Sequence, residues 1–297
     1  MELRVLKYFL TIAREGSIMK AAETLYITQP TLSRQIIELE EELGTKLIIR
    51  GNKNRKISLT DEGIRLRKRA EEIVELAERT ELEFKNQDKE ISGDIYIGGG
   101  ETDSMRLIAK LALKLQKKYP NIRYHLYSGN ADDITEKLDK GLLDFGILVG
   151  PANIKNYNYL KLPFTETWGL LMRKDSFLST KSTIKKEDLI DLPLIISRQS
   201  LVENQVSGWG IQELEKLNIV ATYNLIFNAS LMVDEGFGYA LCLDKLINTT
   251  SESNLCFKPL EPTLTVNLDI IWKKHQIFSK AAEKFLQLLQ EELTLIK

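Results

Sequence analysis

The chain has 297 residues, 43% of them hydrophobic and 28% charged, which is the balance of a globular protein with two or three cores. No apolar run is long enough to span a bilayer, and no CxxC partner joins either Cys242 or Cys256; two histidines, His125 and His275, leave little for a His-based catalytic or metal site. The net charge of −1 is unevenly spread: residues 1–69 carry 14 Lys and Arg against 9 Asp and Glu, a basic front on an acidic remainder.

The first segment reads as three helices. Leu3, Leu6, Phe9, Leu10 and Ala13 follow helical spacing up to Gly16. Glu2, Arg4 and Lys7 interrupt the apolar character that an export signal needs, so a cytoplasmic protein with reduced, buried thiols is expected. Ser17 is positioned to cap a second helix whose face is Ala21, Ala22 and Leu25. Thr28 caps a third, with Pro30 in its first turn, an apolar stripe of Leu32, Ile36, Leu39 and Leu43, and Gly44 at its end.

Leu47–Ile49 and Ile57–Leu59 then pair as strands around a basic turn, residues 50–56, rich in Gly and Asn. Helix, helix, helix, basic hairpin is the order of a winged helix-turn-helix. Thr60 opens a long charged helix reaching about Gln87. Leu66, Ala70, Ile73, Ala77, Thr80 and Phe84 recur along it in steps of four and three. That seam fits pairing with another chain, or packing of one amphipathic helix on its own domain.

From Gly93 the pattern becomes strand, helix, strand, helix, strand: Ile95–Ile97, Met105–Lys118, Ile122–Tyr127, Ala131–Lys140 and Phe145–Val149. Residues 162–267 repeat the theme. Strands are expected at Trp168–Met172, Leu194–Ser197, Ala221–Ile226 and Ala240–Cys242, and helices at Glu203–Leu217 and Ser230–Glu235. A strand at Val266–Trp272 and a last helix at Ser279–Glu292 complete the chain. The expectation is an α/β chain with a winged helix-turn-helix at 1–60, a linker helix at 61–90 and a two-lobed α/β domain at 91–297. Lobe 1 takes about 91–161 and 268–297, lobe 2 about 162–267, and two crossing strands leave a cleft between them.

A helix of the third helix's width fits the major groove of B-DNA, and residues near its N-terminus reach base edges best. Those are the cap Thr28, then Gln29, Pro30, Thr31, Ser33 and Arg34. Gln can bond adenine and Arg guanine in bidentate fashion, Thr and Pro offer apolar contact to a thymine methyl, and Ser33 suits a phosphate or a base. Lys53 and Arg55 at the wing tip are placed to reach the minor groove or the phosphates; a solubilising turn is the plainer alternative.

At the α/β half, ligands are expected where parallel strands end. Gly100, Thr102 and Ser104 lie at the first such end, although Glu101 and Asp103 there would repel a simple anion, and an ordinary strand-to-helix turn is the alternative. Ser128 follows the second strand. Arg198 and Gln199 follow Leu194–Ser197, and Arg198 suits a carboxylate or phosphate. Asn228 and Ser230 open a later helix. Each alone also fits a turn, and Trp168 and Trp209 fit a core.

The run Phe9…Gly16-Ser17…Ala21-Ala22…Leu25…Thr28-Gln29-Pro30-Thr31-Leu32-Ser33-Arg34-Gln35-Ile36…Leu39-Glu40…Leu43-Gly44…Leu47…Arg50…Leu59-Thr60…Gly63 resembles the N-terminal domain of LysR-type transcriptional regulators over some sixty positions. Lys118-Tyr119-Pro120, Gly141–Ile147 and Val233–Leu241 resemble that family's effector domain. One departure is Ile48, where the family usually has Phe. The resemblance implies a regulator that binds duplex DNA at interrupted palindromes, takes an unidentified small-molecule effector between two lobes like those of periplasmic binding proteins, and self-associates through the linker helix as dimer or tetramer. RNA polymerase is a further partner open to such a regulator; no cofactor and no membrane are implied.

Other functions find less support. No nucleophile elbow, Walker loop or paired catalytic carboxylates stand at a recognisable spacing, and Gly98-Gly99-Gly100 lacks the dinucleotide-binding spacing. An architectural, effector-free DNA binder leaves the two-lobed domain without a purpose. A solute-binding transport protein would need an export signal and no DNA-binding head.

Overall fold

A computed structural model describes residues 1–49, 57–85, 91–150, 154–199 and 217–296. The chain forms two compact units, Met1–Gln87 and Asp88–Lys297.

In the first unit, α1 (Leu3–Glu15) turns Val5, Leu6, Phe9 and Ile12 inward and ends at Gly16, whose φ of 62° sets the left-handed cap. The buried face is therefore centred on Phe9 and Ile12, with Leu10 and Ala13 at its margin, a rotation from the face expected above. α2 (Ile18–Thr24) is capped by Ser17, and its buried Ala21 and Ala22 carry little side chain, so the neighbouring helix comes close. α3 (Gln29–Leu43) starts at the Thr28 cap and stops at Gly44 with φ 67°. Its stripe is Leu32, Ile36, Leu39 and then Glu40, while Leu43 is exposed. Each fully buried Leu, Ile or Phe of this core contributes roughly 1.5–3 kcal/mol.

The wing strands β1 (Ile48–Ile49) and β2 (Ser58–Leu59) are antiparallel, with Ile48 opposite Leu59. Glu40 ties them to α3: its carboxylate accepts from the amides of Leu47 at 2.9 Å and Ile48 at 3.3 Å and from Lys46 Nζ at 2.8 Å. Burial alone would raise the Glu40 carboxyl, but these donors hold it below the usual carboxylate range.

α4 (Asp61–Lys85) begins where Thr60 Oγ1 accepts from Gly63 N at 2.9 Å and donates to the Lys46 carbonyl at 2.7 Å. Gly63 is required here, because a Cβ would stand 2.0 Å from the Leu47 carbonyl oxygen. The expected seam of α4 divides. Leu66 packs on the core of its own unit and Ala70 is fully buried, while Ile73, Thr80 and Phe84 face outward.

The second unit is built on β3 (Gly93–Gly99), α5 (Met105–Lys118), β4 (Ile122–Ser128), α6 (Ala131–Asp139), β5 (Phe145–Val149), β6 (Tyr157–Arg173), β7 (Ile184–Lys185), β8 (Leu194–Ser197), β9 (Ile219–Tyr223), α7 (Ile226–Asp234), β10 (Tyr239–Leu243), β11 (Leu255–Glu261), β12 (Thr265–Lys273) and α8 (Lys280–Ile296). The strand order is β4-β3-β5-β12-β6-β10-β8-β9, with β11 on β6 and β7 on β11. β3, β4 and β5 are parallel; β12 and β6 run antiparallel to each other, and β10 runs antiparallel to β6, so each sheet is mixed.

The 17-residue β6 and the 9-residue β12 are the two crossing strands. One core gathers Ile95, Ile108, Phe145, Leu268 and Phe285; the other gathers Leu170, Leu194, Ile196, Leu241 and Leu260. β6 starts well before Trp168, and Ile226 opens a helix instead of closing a strand. β7 and β11 were not expected, and the helix expected at Glu203–Leu217 falls almost wholly outside the described residues. Gly98 owes its identity to packing: a Cβ there would lie 2.5 Å from Leu143 Cδ1 and 2.8 Å from Ile134 Cδ1. Cys242 is buried and its thiol is pushed up by desolvation; Cys256 is half-buried, not fully buried as expected.

Candidate functional site

Two surfaces collect the side chains that sequence reasoning singled out. The first is the N-terminal half of α3. Thr28 Oγ1 lies 2.8 Å from Thr31 Oγ1 and accepts from the Thr31 amide, which fixes the start of the helix. Thr28, Gln29, Pro30, Thr31 and Arg34 are all exposed, and Ser33 is half-buried at the edge of the same face. The buried Leu32 and Ile36 set that orientation, since they hold the opposite side of the helix in the core.

Arg34 and Gln35 both turn to Glu38, Nε to Oε1 at 2.7 Å and Nε2 to Oε2 at 2.7 Å. That pairing raises the Arg34 guanidinium above its already high range, so it is a permanent cation. Sequence reasoning passed over Tyr26. It sits in the turn before α3 with φ 55° and 96% exposure, beside the open end of the helix. An aromatic residue two places before a capping Thr was the available signal. Lys53 and Arg55 lie outside the described residues.

The second surface is a cavity of about 70 Å3 between the lobes of the α/β unit, where β3, β8 and β9 end. Gly100, Glu101, Asn130, Gln199, Tyr223 and Trp168 are among its walls. Two contacts cross it. The Glu101 carboxylate accepts from the amide of Ile226, the first residue of α7. From the other side, Gln199 Oε1 accepts from the amide of Ala131, the first residue of α6, at 3.2 Å. The cap residue of α7 is Leu225, which has no side-chain acceptor, so Glu101 supplies from across the cleft what the local sequence lacks.

Glu101 is the one charged side chain among the described wall residues. Trp168 is buried in the wall, and its Nε1 donor has no partner among the described atoms. Tyr223 donates to the Leu241 carbonyl at 2.7 Å; burial above all, with the Glu101 carboxylate nearby, raises its phenol well above the usual range.

Of the residues expected at this cleft, Gly100 and Gln199 line the cavity. Ser128 and Arg198 are exposed neighbours of its lining residues Gly129 and Gln199. Thr102 and Ser104 are buried and committed to Glu166. Asn228 is exposed on α7, and Ser230 is buried with its hydroxyl donating to the Phe227 carbonyl at 2.7 Å.

Two family descriptions match in succession: "Bacterial regulatory helix-turn-helix protein, lysR family" over residues 3–64 and "LysR substrate binding domain" over residues 88–294. Among curated relatives, the HTH-type transcriptional regulator BsdA of Bacillus subtilis (strain 168) is 27% identical, over 97% of this chain and 100% of that protein. The Hca operon transcriptional activator HcaR of Escherichia coli (strain K12) is 28% identical, over 99% of this chain and 98% of that one. Among solved structures, full-length CbnR complexed with its target DNA has a TM-score of 0.76 at 21% identity, covering 98% of this chain and 99% of that one; the likeness is one of fold. The chain belongs to the LysR family: it is a DNA-binding transcriptional regulator with a substrate-binding domain behind its helix-turn-helix.

Proposed function

We propose that the chain reads an operator in duplex DNA through Thr28, Gln29, Pro30, Thr31, Ser33 and Arg34, aided by Lys53 and Arg55, and that a small molecule bound between the lobes controls the outcome. The single observation that carries the DNA reading is the exposed polar start of α3 above a fully buried Leu32–Ile36 stripe. The cleft side rests on Gly100 and Gln199, with Ser128 and Arg198 beside them. Thr102, Ser104, Asn228 and Ser230 act there by shaping the turns and the helix that border it.

The chain pairs with further copies through the outward part of α4, as dimer or tetramer, and contact with RNA polymerase at the promoter belongs to the same reading. It acts in the cytoplasm and by binding, without turnover; no described helix is long and apolar enough to cross a membrane. An effector that binds one lobe arrangement more tightly shifts the population toward it, and altered spacing or bending of the DNA follows.

The test is a footprint of the purified protein on the DNA upstream of its own gene, repeated with Arg34→Ala. Protection of an extended, roughly two-fold symmetric site that the variant loses is the expected result. Diffuse protection indifferent to sequence would favour an architectural role instead.

A further inference from the structure

The two helices that start at the cleft, α6 and α7, start differently. α6 is capped by its own sequence: Asn130 Oδ1 accepts from Asp133 N at 3.0 Å, and Asp133 Oδ2 accepts from Asn130 N at 3.2 Å. Asp132 and Asp133 also place two carboxylates in its first turn. α7 has no acidic residue in its first turn, and its cap residue Leu225 offers no side-chain acceptor. A helix start gathers unpaired N–H donors and partial positive charge, so it calls for an anion, and the local sequence of α7 does not provide one.

Glu101 provides it from the opposite lobe, where its carboxylate accepts from the Ile226 amide. The turn that carries Glu101 is fastened from behind. Thr102 and Ser104 both donate to the buried Glu166, Ser104 through N at 3.0 Å and through Oγ at 3.1 Å, so the turn is held in place and Glu101 is aimed at α7. The space left in the cleft is about 70 Å3, with Trp168 and Tyr223 in the wall beside Glu101. Small-molecule sites are larger, about 300–1,000 Å3. A ligand of that class enters only as the lobes part, and the bond from Glu101 to Ile226 spans the opening.

We propose that the Glu101 carboxylate is an internal ligand: it fills the anion subsite at the first amide of α7, and the effector is a compact carboxylate that enters by displacing it. This rests on the reading that the cleft takes an effector. The displacing group has to satisfy the same amide and the same positive helix end, which a carboxylate does. A cation answers neither, and a neutral acceptor answers the amide without the charge. Glu101 is half-buried, at the lip of the cleft, so once released it turns to water. With the subsite filled from within, the chain rests closed, and an effector binds more weakly by the fraction of molecules in which Glu101 has let go. Gln199 guards no second anion subsite, because the start of α6 already holds Asp132 and Asp133.

The experiment removes the internal carboxylate and gives it back. Glu101→Ala deletes the heavy atoms of an acetate ion, so acetate is the probe, with acetamide as its neutral isostere and sodium chloride at equal ionic strength as the salt control. The readout is hydrogen exchange at the Ile226 amide of the full chain. Glu101→Ala should raise exchange there about tenfold or more, and acetate should restore the protection saturably, while acetamide and chloride restore little of it. In the parent, acetate should leave exchange at Ile226 unchanged. No rescue, rescue by acetamide or chloride equal to that by acetate, or an equal response of the parent would overturn the proposal. Should Glu101→Ala not fold, Glu101→Gln carries the test: loss of the charge alone should raise exchange at Ile226 a few-fold, and an unchanged rate would overturn the proposal. The same samples are then footprinted on the upstream DNA. Acetate rescue at Ile226 with no change in the footprint would uphold the internal carboxylate and count instead against the cleft as the control of DNA binding.

Discussion

Glu38 holds Arg34 through Nε at 2.7 Å, one turn along the exposed face of α3, and accepts from Gln35 as well. The residue best suited to bond a guanine is thus paired with a carboxylate in the free protein. On the proposed reading, DNA binding exchanges that partner for a base edge, and the Glu38 carboxylate opposes the negative field of the phosphates. Arg34→Ala should weaken binding to the specific site about ten- to a hundredfold, the loss of one bidentate base contact. Glu38→Gln should tighten binding to any duplex a few-fold and narrow the gap between specific and random DNA. Gel-shift titrations on both duplexes at two salt concentrations read this out. An unchanged specificity ratio in Glu38→Gln would show that the pair does not compete with DNA.

The helix ends of the first unit were legible because caps are local chemistry. As helix caps, Gly16, Ser17, Thr28, Gly44 and Thr60 each act within four residues of their partners or, as with Gly16 and Gly44, by their own φ; only the further bond of Thr60 to the Lys46 carbonyl reaches beyond that range. The burial of Glu40 was not legible, since its stabilising amides, Leu47 and Ile48, arrive only when the wing folds back. The cleft shows the same limit on a larger scale. Its walls follow from strand ends, so Gly100 and Gln199 could be placed, but the Glu101 contact spans 125 positions and no periodicity encodes it. Thr102 and Ser104 look like free hydroxyls in the sequence because Glu166 lies 64 and 62 positions away.

Glu40 carries a pH-dependent share of stability. Its folded-state carboxyl lies below its ordinary value, so its contribution is complete above the unfolded value and fades as pH falls through the folded one. Glu40→Gln should therefore be less stable than the parent at pH 7 by roughly 1–3 kcal/mol, the cost of weakening a buried charge-assisted network. The gap should close as pH drops below about 4, near and under the ordinary glutamate range. Thermal melts from pH 7 to 3 check the sign, and a difference that widened toward acid would contradict it.

The outward part of α4 leaves Ile73 41%, Leu76 42% and Phe84 69% exposed, an apolar row that water disfavours. Ile73→Asp with Leu76→Asp should shift the protein to a smaller species while its circular dichroism stays unchanged. Ala70→Asp is the contrast: that position is fully buried within its own unit, so the variant should lose thermal stability first. Light scattering after size exclusion separates the two outcomes. An unchanged mass in the Ile73/Leu76 double variant would exclude this row as the pairing surface.

Glu101 and Gln199 bind the first amide of a helix in the opposite lobe, one in each direction across the cleft. Their loss should be felt at those amides before it is felt anywhere else. Removing a charged acceptor from a partly buried amide costs about 1–3 kcal/mol, or roughly ten- to a hundredfold in local opening. Glu101→Ala should accordingly raise hydrogen exchange at Ile226 by about that factor, whereas Gln199→Ala, which removes a neutral acceptor, should raise it at Ala131 by less. Core amides such as Leu170 should be unaffected in both, because they lie in β6 behind the contact. A cleft held shut by these two side chains also predicts that the double variant opens more than either single one. If exchange at Ile226 stayed at the parent rate in Glu101→Ala, closure would have to come from packing around Trp168 and Tyr223 instead.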